Sequence, residues 1–210
     1  YFTGSKLYKI NMKITILGSG TSTGVPEIGC TCPTCTSIDH RDKRLRCSGL
    51  VEVDGVRILI DCGPDFREQM NRLDDFKPID AVLITHEHYD HVGGLDDLRP
   101  FCRFRDVPVY AEAYMAQRLR ERIPYCFAEQ LYPGVPRILL EEVTPDMRRA
   151  AKAVNFGIVY GISEFSLAED IGVSRYEAKD YIDSYLTHYA GVGRYMKQVV
   201  VDARESGFTQ

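Results

Sequence analysis

The stretch Thr85-His86-Glu87-His88-Tyr89-Asp90-His91, directly after the apolar run Ala81-Val82-Leu83-Ile84, constrains this chain more than any other. Three of the five histidines fall within six residues here, with an aspartate among them. Aliphatic and β-branched residues that end in a polar cluster read as a buried strand handing over to a loop. On an extended backbone His86 and His88 point the same way, because side chains two apart share a face. The chain must then turn to bring Asp90 and His91 to a neighbouring point, and Gly93-Gly94 is expected to supply the backbone freedom for that turn. Two imidazoles for one ion, and a carboxylate with an imidazole for a second, suit a divalent metal such as zinc or manganese. Asp90 is also the candidate catalytic residue, in a catalytic set that is not complete. The alternative is a solvated loop that happens to be rich in histidine.

The string HxHxDH closing a hydrophobic strand is the metal motif of the metallo-β-lactamase fold, and this sequence resembles that superfamily from about Met12 to about Val143. The resemblance implies an αββα sandwich that binds one or two metals at the sheet edges. The fold class expected for the chain is α/β (α+β): the N-terminal half of such a sandwich, then an all-α segment over the last third.

At 210 residues the chain suffices for one good core or two small domains. No apolar run approaches membrane-spanning length, and no basic segment followed by an apolar one marks a signal peptide. A cytoplasmic protein with no membrane partner is therefore expected. The net charge of −4 argues against retention on nucleic acid by bulk electrostatics. Seven cysteines, three of them clustered as Cys30, Cys32 and Cys35, favour metal thiolates over a disulfide framework in a reducing compartment.

Residues 1–11 show no pattern and precede Met12, which looks like a natural start, so they are expected to be an upstream or vector-derived segment. Met12 to Leu17 reads as a first strand. Gly18 to Pro26 is a glycine-rich loop whose GxGxxxG spacing alone is a weak phosphate signal without the lysine of a P-loop. It looks like the first-strand loop of the phosphodiesterase branch of the superfamily, which includes the tRNA 3′-processing endonucleases. A tight turn is the equal alternative.

The Cys30-Thr31-Cys32-Pro33-Thr34-Cys35 loop places three thiolates together, and zinc prefers four ligands in a tetrahedron, so a structural zinc is expected. Three inert thiols are the alternative. The loop resembles that of the phosphoribosyl cyclic phosphodiesterases, in which a histidine from the C-terminal half is the fourth ligand. That histidine has no match here, leaving His40, Cys47 and Cys62 as local substitutes. Two strands, Gly49–Val53 and Val56–Asp61, are joined by Asp54-Gly55, a tight-hairpin signal. Asp61 matches the superfamily aspartate that buttresses the metal loop; a turn-initiating Asp is the alternative. Helices are expected over Pro64–Leu73 and Ala111–Arg122 and strands over Val107–Tyr110 and Ile138–Val143, and Leu95 to Phe101 also resembles the cyclic phosphodiesterases.

The resemblance implies further ligands after Val143, yet the only later histidine, His188, matches none of their motifs. Beyond Val143 the pattern changes. Thr144-Pro145-Asp146 looks like a helix start, and Arg148, Lys152, Phe156 and Tyr160 recur every four residues on one slowly drifting stripe. Two cations and two rings along one face suit a nucleotide. Residues Arg148 to Gly161 resemble the fingers helix of family A DNA polymerases, and the likeness runs to about Phe208, through a capping box at Ser174–Glu177 and a last helix closed by Gly207. The metal-binding aspartates of the polymerase palm have no counterpart. From Thr144 onward eight Lys and Arg face nine Asp and Glu, so no basic surface compensates.

Residues 12–143 and 144–210 thus read as two unrelated fragments with no flexible linker between them. Three functions are weighed. The first is a zinc-dependent phosphodiester hydrolase whose missing ligands come from a partner chain. The second is a nucleotide- or DNA-binding module carrying the polymerase, nucleotidyltransferase-type label. The third is a chimeric gene product, inactive as it stands, which a long read of source DNA across the codons for Val143 and Thr144 would test. A loose sheet edge beyond Val143 is expected.

Overall fold

The computed structural model describes residues 12–206, the side chains of 188 and 206 excepted; the expected upstream segment and the Gly207 cap lie outside them. The chain divides into two compact units between Val143 and Thr144. The first holds a six-stranded mixed sheet whose spatial order is the chain order. Strands β1 (Met12–Gly18), β2 (Ser48–Val53) and β3 (Val56–Ile60) form an antiparallel meander, and β4 (Ala81–Leu83), β5 (Val107–Glu112) and β6 (Ile138–Val143) continue it in parallel. Asp54 and Gly55 both have positive φ, as a two-residue hairpin turn of matching twist requires. Each parallel step needs a crossover, and these carry α2 (Phe66–Asn71), α3 (Tyr89–Val92), a 3₁₀ segment at Leu95–Arg103, and α4 (Ala113–Arg122). A four-residue helix, α1 (Pro33–Thr36), lies in the β1–β2 connection.

Alternation along the strands sets the core. The row Leu50, Leu59, Val82, Val109 is in register across four strands and fully buried. Phe66, Leu95, Leu98, Phe101, Met115 and Leu119 from the crossovers join it in one cluster. The alternate rows point the other way. There Ile14 pairs with Val51, Val51 with Ile58 and Ile58 with Ala81, while the row Ile16, Gly49, Ile60, Leu83 runs beside it. Ile14 and Ile16 are 62% and 68% exposed, and Met12, Val56, Leu83 and Leu139 are exposed as well.

The glycine-rich loop is shaped by packing. Gly20 N–H donates to the Leu45 carbonyl at 2.7 Å, and a Cβ on Gly18 would meet the Arg46 carbonyl oxygen at 2.0 Å. Arg46 then ties the loop to α2: its side chain donates to the Ser22 carbonyl at 2.9 Å and to Asp65 Oδ1 at 2.7 Å. Close backbone approach accounts for both glycines, with no phosphate invoked.

The second unit is helical. Thr144 caps α5 (Pro145–Lys152), Ser163 caps α6 (Glu164–Ile171), and Ser174 with Glu177 forms the capping box of α7 (Arg175–His188). The Ser174 hydroxyl and backbone N–H hold the Glu177 carboxyl below its ordinary range. Helix α8 (Ala190–Ser206) comes last. Between Ala153 and Gly157 the helix widens to a π-helical turn, which the four-residue spacing of Arg148, Lys152, Phe156 and Tyr160 does not foretell. A wider turn rotates less per residue, so the drift accumulated along α5 is reversed there instead of growing. Among the described residues the core is small: Leu167, Ala168 and Ala178, with Val154, Ile162, Ile171 and Ile182 against them, and Ile158 buried as well. Among the described residues no helix is long and apolar enough to cross a membrane.

Gly63 and Gly94 show where the first unit tolerates least. A Cβ on Gly63 would lie 2.0 Å from the Asp90 carbonyl oxygen, and one on Gly94 would lie 2.0 Å from the Gly63 carbonyl oxygen. Gly63→Ala is therefore expected to destabilise the unit by about 1–3 kcal/mol, as forced overpacking does. Urea unfolding followed by tyrosine fluorescence measures this, and a midpoint equal to that of the wild type would show that the two loops part without resistance.

Candidate metal centre

Strand β4 ends at Leu83, and its ladder extends one step further on the β3 side, where the Asp61 N–H donates to the Leu83 carbonyl at 3.0 Å. Asp61 then turns into the left-handed region at φ 59°, a conformation a non-glycine residue adopts only where its surroundings over-determine it. The surroundings are three donors. Asp61 Oδ1 accepts the Thr85 N–H at 2.8 Å, and Oδ2 accepts the Thr85 hydroxyl at 2.8 Å and His91 Nδ1 at 2.7 Å. The carboxylate is buried, and this satisfies it.

The bonds also fix tautomers. An ionised carboxylate only accepts, so His91 carries its proton on Nδ1 and presents the Nε2 lone pair. Thr85 spends its single hydroxyl proton on Asp61, so its oxygen must accept from His86 Nδ1, 3.0 Å away. His86 therefore also presents Nε2. One carboxylate orients two imidazoles, the second through a threonine hydroxyl.

The histidine rings gather as expected but by a different route. His86 and His88 lie beyond β4, their rings edge to face with centroids 4.8 Å apart, and the His86 and His91 centroids are 3.9 Å apart. Asp90 and His91 are brought round by the single-turn helix α3, not by the glycines after it. Gly93 and Gly94 have φ of −66° and −101°, which any residue adopts, and Gly94 serves close approach instead. Two backbone bonds clasp the loops: Cys62 N–H to the His91 carbonyl and Gly94 N–H to the Cys62 carbonyl, both 2.8 Å. Asp90 Oδ2 lies 3.1 Å from His91 Nε2, close to the roughly 3.3 Å edge of a tetrahedron built on ~2.0–2.1 Å bonds. That pair fits two ligands of one ion. His86, His88, Asp90 and His91 are drawn together in pairs; no three of them place a ligand atom within 4.8 Å of one another.

The cysteines do converge. The ligand atoms of Cys30, Cys32 and Cys35 all lie within 4.8 Å of one another, the only such group of three or more among the described residues. Tetrahedral thiolates at ~2.3 Å from zinc stand about 3.8 Å apart, so the trio fits. The Cys35 N–H reaches Cys32 Sγ at 3.4 Å and lowers that thiol's pKa, further helped by the neighbouring thiols. The Cys32 N–H favours the Cys30 thiolate, but side-chain hydrogen bonds with Cys32 and Cys35 outweigh it and leave the Cys30 pKa raised. None of His40, Cys47 or Cys62 brings a ligand atom into the group. Burial pushes the Cys62 thiol well above its ordinary pKa, which suits the core and not a metal.

Sequence spacing missed the residues that hold the loop from α4. The Arg122 guanidinium donates to the Glu87 carbonyl at 2.9 Å, and the Tyr114 hydroxyl donates to Glu87 Oε1 at 3.2 Å. With Arg118 and Glu121 they line a recess of about 400 Å³ beside the histidine loop. Nothing in the spacing of residues 114 and 122 marks them. A larger hollow of about 540 Å³, lined by Phe66, Met70, Phe76 and Phe101, touches none of the histidines. Farther along, Arg148, Lys152, Phe156 and Tyr160 are all exposed, the first two on α5, Phe156 in the π-helical turn and Tyr160 in the turn that follows.

Asp61→Asn tests the relay. The amide donates where the carboxylate accepted, which reverses both histidine tautomers and puts a proton on each Nε2. Mn²⁺ avoids the thiolates, so an Mn²⁺ titration followed by electron paramagnetic resonance reads this site alone. Affinity is expected to fall tenfold to a hundredfold; equal affinity would show that Asp61 does not set the tautomers.

Comparison with known proteins gives two families. Residues 56–159 match the β-lactamase superfamily domain and residues 132–210 match DNA polymerase family A, the two overlapping between 132 and 159. An octanoyltransferase of Porphyromonas gingivalis is 55% identical over 137 residues, 65% of this chain and 28% of that protein. DNA polymerase I of Bacillus caldotenax is 53% identical over 68 residues, 32% of this chain and 8% of the polymerase. The chain thus spans little more than a quarter of one curated relative and under a tenth of the other. Among solved structures, a diphosphatase of the PhnP family superposes with a TM-score of 0.57 at 42% identity, covering 65% of this chain and 52% of that one. Zinc-bound PqqB of Methylobacterium extorquens gives 0.50 at 26% identity, covering 62% and 46%. The chain carries a β-lactamase superfamily segment of the metallo-β-lactamase fold followed by a family A DNA polymerase segment.

Proposed function

We propose that residues 12–143 bind a divalent metal, zinc or manganese, through His86, His88, Asp90 and His91 as part of a phosphodiesterase-type hydrolase site that does not turn over substrate in this chain. The relay from Asp61 to His91 and, through Thr85, to His86 carries this reading, because it turns both Nε2 atoms away from the buried carboxylate and leaves that of His91 3.1 Å from Asp90 Oδ2, a spacing that two ligands of one ion would have. Likeness to a PhnP-family diphosphatase supports a small phosphodiester or nucleotide as substrate class. A cation held there supplies Lewis-acid polarisation of a phosphoryl oxygen. Arg118 and Arg122, in the recess beside the loop, are placed to take the negative charge of such a substrate. Cys30, Cys32 and Cys35 hold a structural zinc in this reading. Ligands beyond His86, His88, Asp90 and His91 would have to come from a second chain. Octanoyl transfer is not proposed, since the chain spans 28% of the protein that bears that name.

The segment 144–210 supports a second reading, contact with a deoxynucleotide or DNA through Arg148, Lys152, Phe156 and Tyr160, all exposed to solvent. Its join to the sheet is abrupt: β6 ends at Val143 and Thr144 already caps α5, leaving no linker residue. That supports a chimeric product of two bacterial reading frames over a fusion of whole domains.

Chain loaded with zinc or manganese is expected to hydrolyse bis(p-nitrophenyl) phosphate no faster than its His86→Ala/His91→Ala variant does. Turnover that the variant abolishes would make the site competent and end the first proposal. For the second reading, titration with a deoxynucleoside triphosphate should show binding several-fold weaker in Lys152→Ala than in the wild type. Identical curves would leave the helix without a nucleotide role.

A further inference from the structure

The sheet of the first unit is covered on one face only by side chains of its own helices. On the other face, Ile14, Ile58 and Ala81 align across β1, β3 and β4, and Ile16, Ile60 and Leu83 align in the next row. Outward-facing positions of β1 to β4 carry no charged side chain, and the first charges on this face are Glu112 and Glu141, on β5 and β6. Ile14 and Ile16 stand on the edge strand and are more than three-fifths exposed. Uncharged apolar surface that reaches an edge strand is what soluble monomers avoid.

We infer that this face pairs with the same face of a second copy of the chain. Three features select that occupant. Charge is the first: a neutral patch meets itself without like-charge repulsion when a two-fold axis passes through it, and the glutamates fall to the rim. Area is the second. Six strands at ~4.8 Å and about five residues at ~3.3 Å give a face of roughly 29 by 17 Å, so two copies bury on the order of 1,000 Å², the lower limit for a specific interface. Shape is the third. Strands with outward aliphatic rows pack on another sheet at ~10 Å, the strand directions rotated by about 30°. Two copies so arranged make four layers, helix, sheet, sheet and helix, from a unit that supplies only two. The modest area makes the dimer a reversible one.

Sedimentation velocity on the whole chain over roughly 1–100 μM, the span of a micromolar reversible association, provides the test. Wild type is expected to pass from monomer to dimer with rising concentration. Ile16→Lys and, separately, Val56→Lys are expected to weaken that association at least tenfold. Their circular dichroism spectra should match the wild type, because both positions are solvent-exposed. A wild type that stays monomeric at the highest concentration overturns the inference. So does dimerisation that both variants retain, which would place the contact elsewhere. A monomer whose face binds the apolar dye anilinonaphthalene sulfonate, with binding lost in Ile16→Lys, also overturns it and assigns the face to some other apolar occupant. Open-ended oligomers in place of dimers overturn the two-fold arrangement.

Discussion

The buried carboxylate of Asp61 is the point on which the first unit turns. It accepts three hydrogen bonds within 2.8 Å, two from Thr85 and one from His91, and it holds them from a left-handed backbone conformation. A buried charge without such donors would cost several kcal/mol, and a left-handed aspartate about 1–3 kcal/mol more. The donors cover the first cost, and the backbone clasp of Cys62 with His91 and Gly94 over-determines the second. The histidine loop is therefore the continuation of the β3–β4 ladder, carried past the strand ends by a side chain after the backbone pairs stop. Gly63 and Gly94 are needed because the two loops touch backbone to backbone.

A second constraint acts at the opposite end of the same strands. On the helix-covered face the row Lys13, Glu52, Arg57 is charged where its neighbours are aliphatic. Arg57 is buried and lies 3.1 Å from Glu52 and 3.5 Å from Asp75, with Nη1 donating to the Lys77 carbonyl at 3.1 Å. Its own N–H donates to Asp80 at 2.6 Å. The Nε contact with Glu52 lacks hydrogen-bond alignment and acts as an ion pair only. A buried arginine with two carboxylates is weak support for stability, but removal of either partner leaves an expensive charge. It fixes the connection leading into β4, and hence the register that carries the histidine loop to its place.

Local signals in the sequence are legible to within a residue or two. Strand β6, the Asp54-Gly55 hairpin and the caps at Thr144 and Ser174 lie where turn chemistry and alternation put them, because each depends on neighbours a few positions away. Resemblance marks Asp61 as a buttress, and its partners, Thr85 and His91, are the ones a buttress needs. The sequence is silent where function depends on contacts across the fold. The glycine-rich loop reads as a weak phosphate signal or, equally, a tight turn until its carbonyl contacts with residues 44–46 are seen, and Gly93-Gly94 reads as backbone freedom for a turn until Gly94 is found against Gly63. Arg122 and Tyr114 reach Glu87 from 35 and 27 residues away, a distance no motif spacing encodes. The π-helical turn at Ala153–Gly157 has no compositional mark either.

The two units differ in how much core they bury. Among the described residues of the helical segment, the buried cluster is Leu167, Ala168 and Ala178, with Ile158 buried as well, a small core beside that of the sheet unit. Its helix ends are marked by hydroxyl caps at Thr144, Ser163 and Ser174 and by a left-handed Gly172 closing α6. Such signals act within one turn and fix where a helix begins or stops. The sheet unit owns a full core, and its other face carries aliphatic rows, of which Ile14 and Ile16 are exposed. One unit is thus rich in helix-end signals and poor in core, and the other has a full core on one face of its sheet and aliphatic rows on the other. The change from the one pattern to the other falls between Val143 and Thr144, where the two compact units divide.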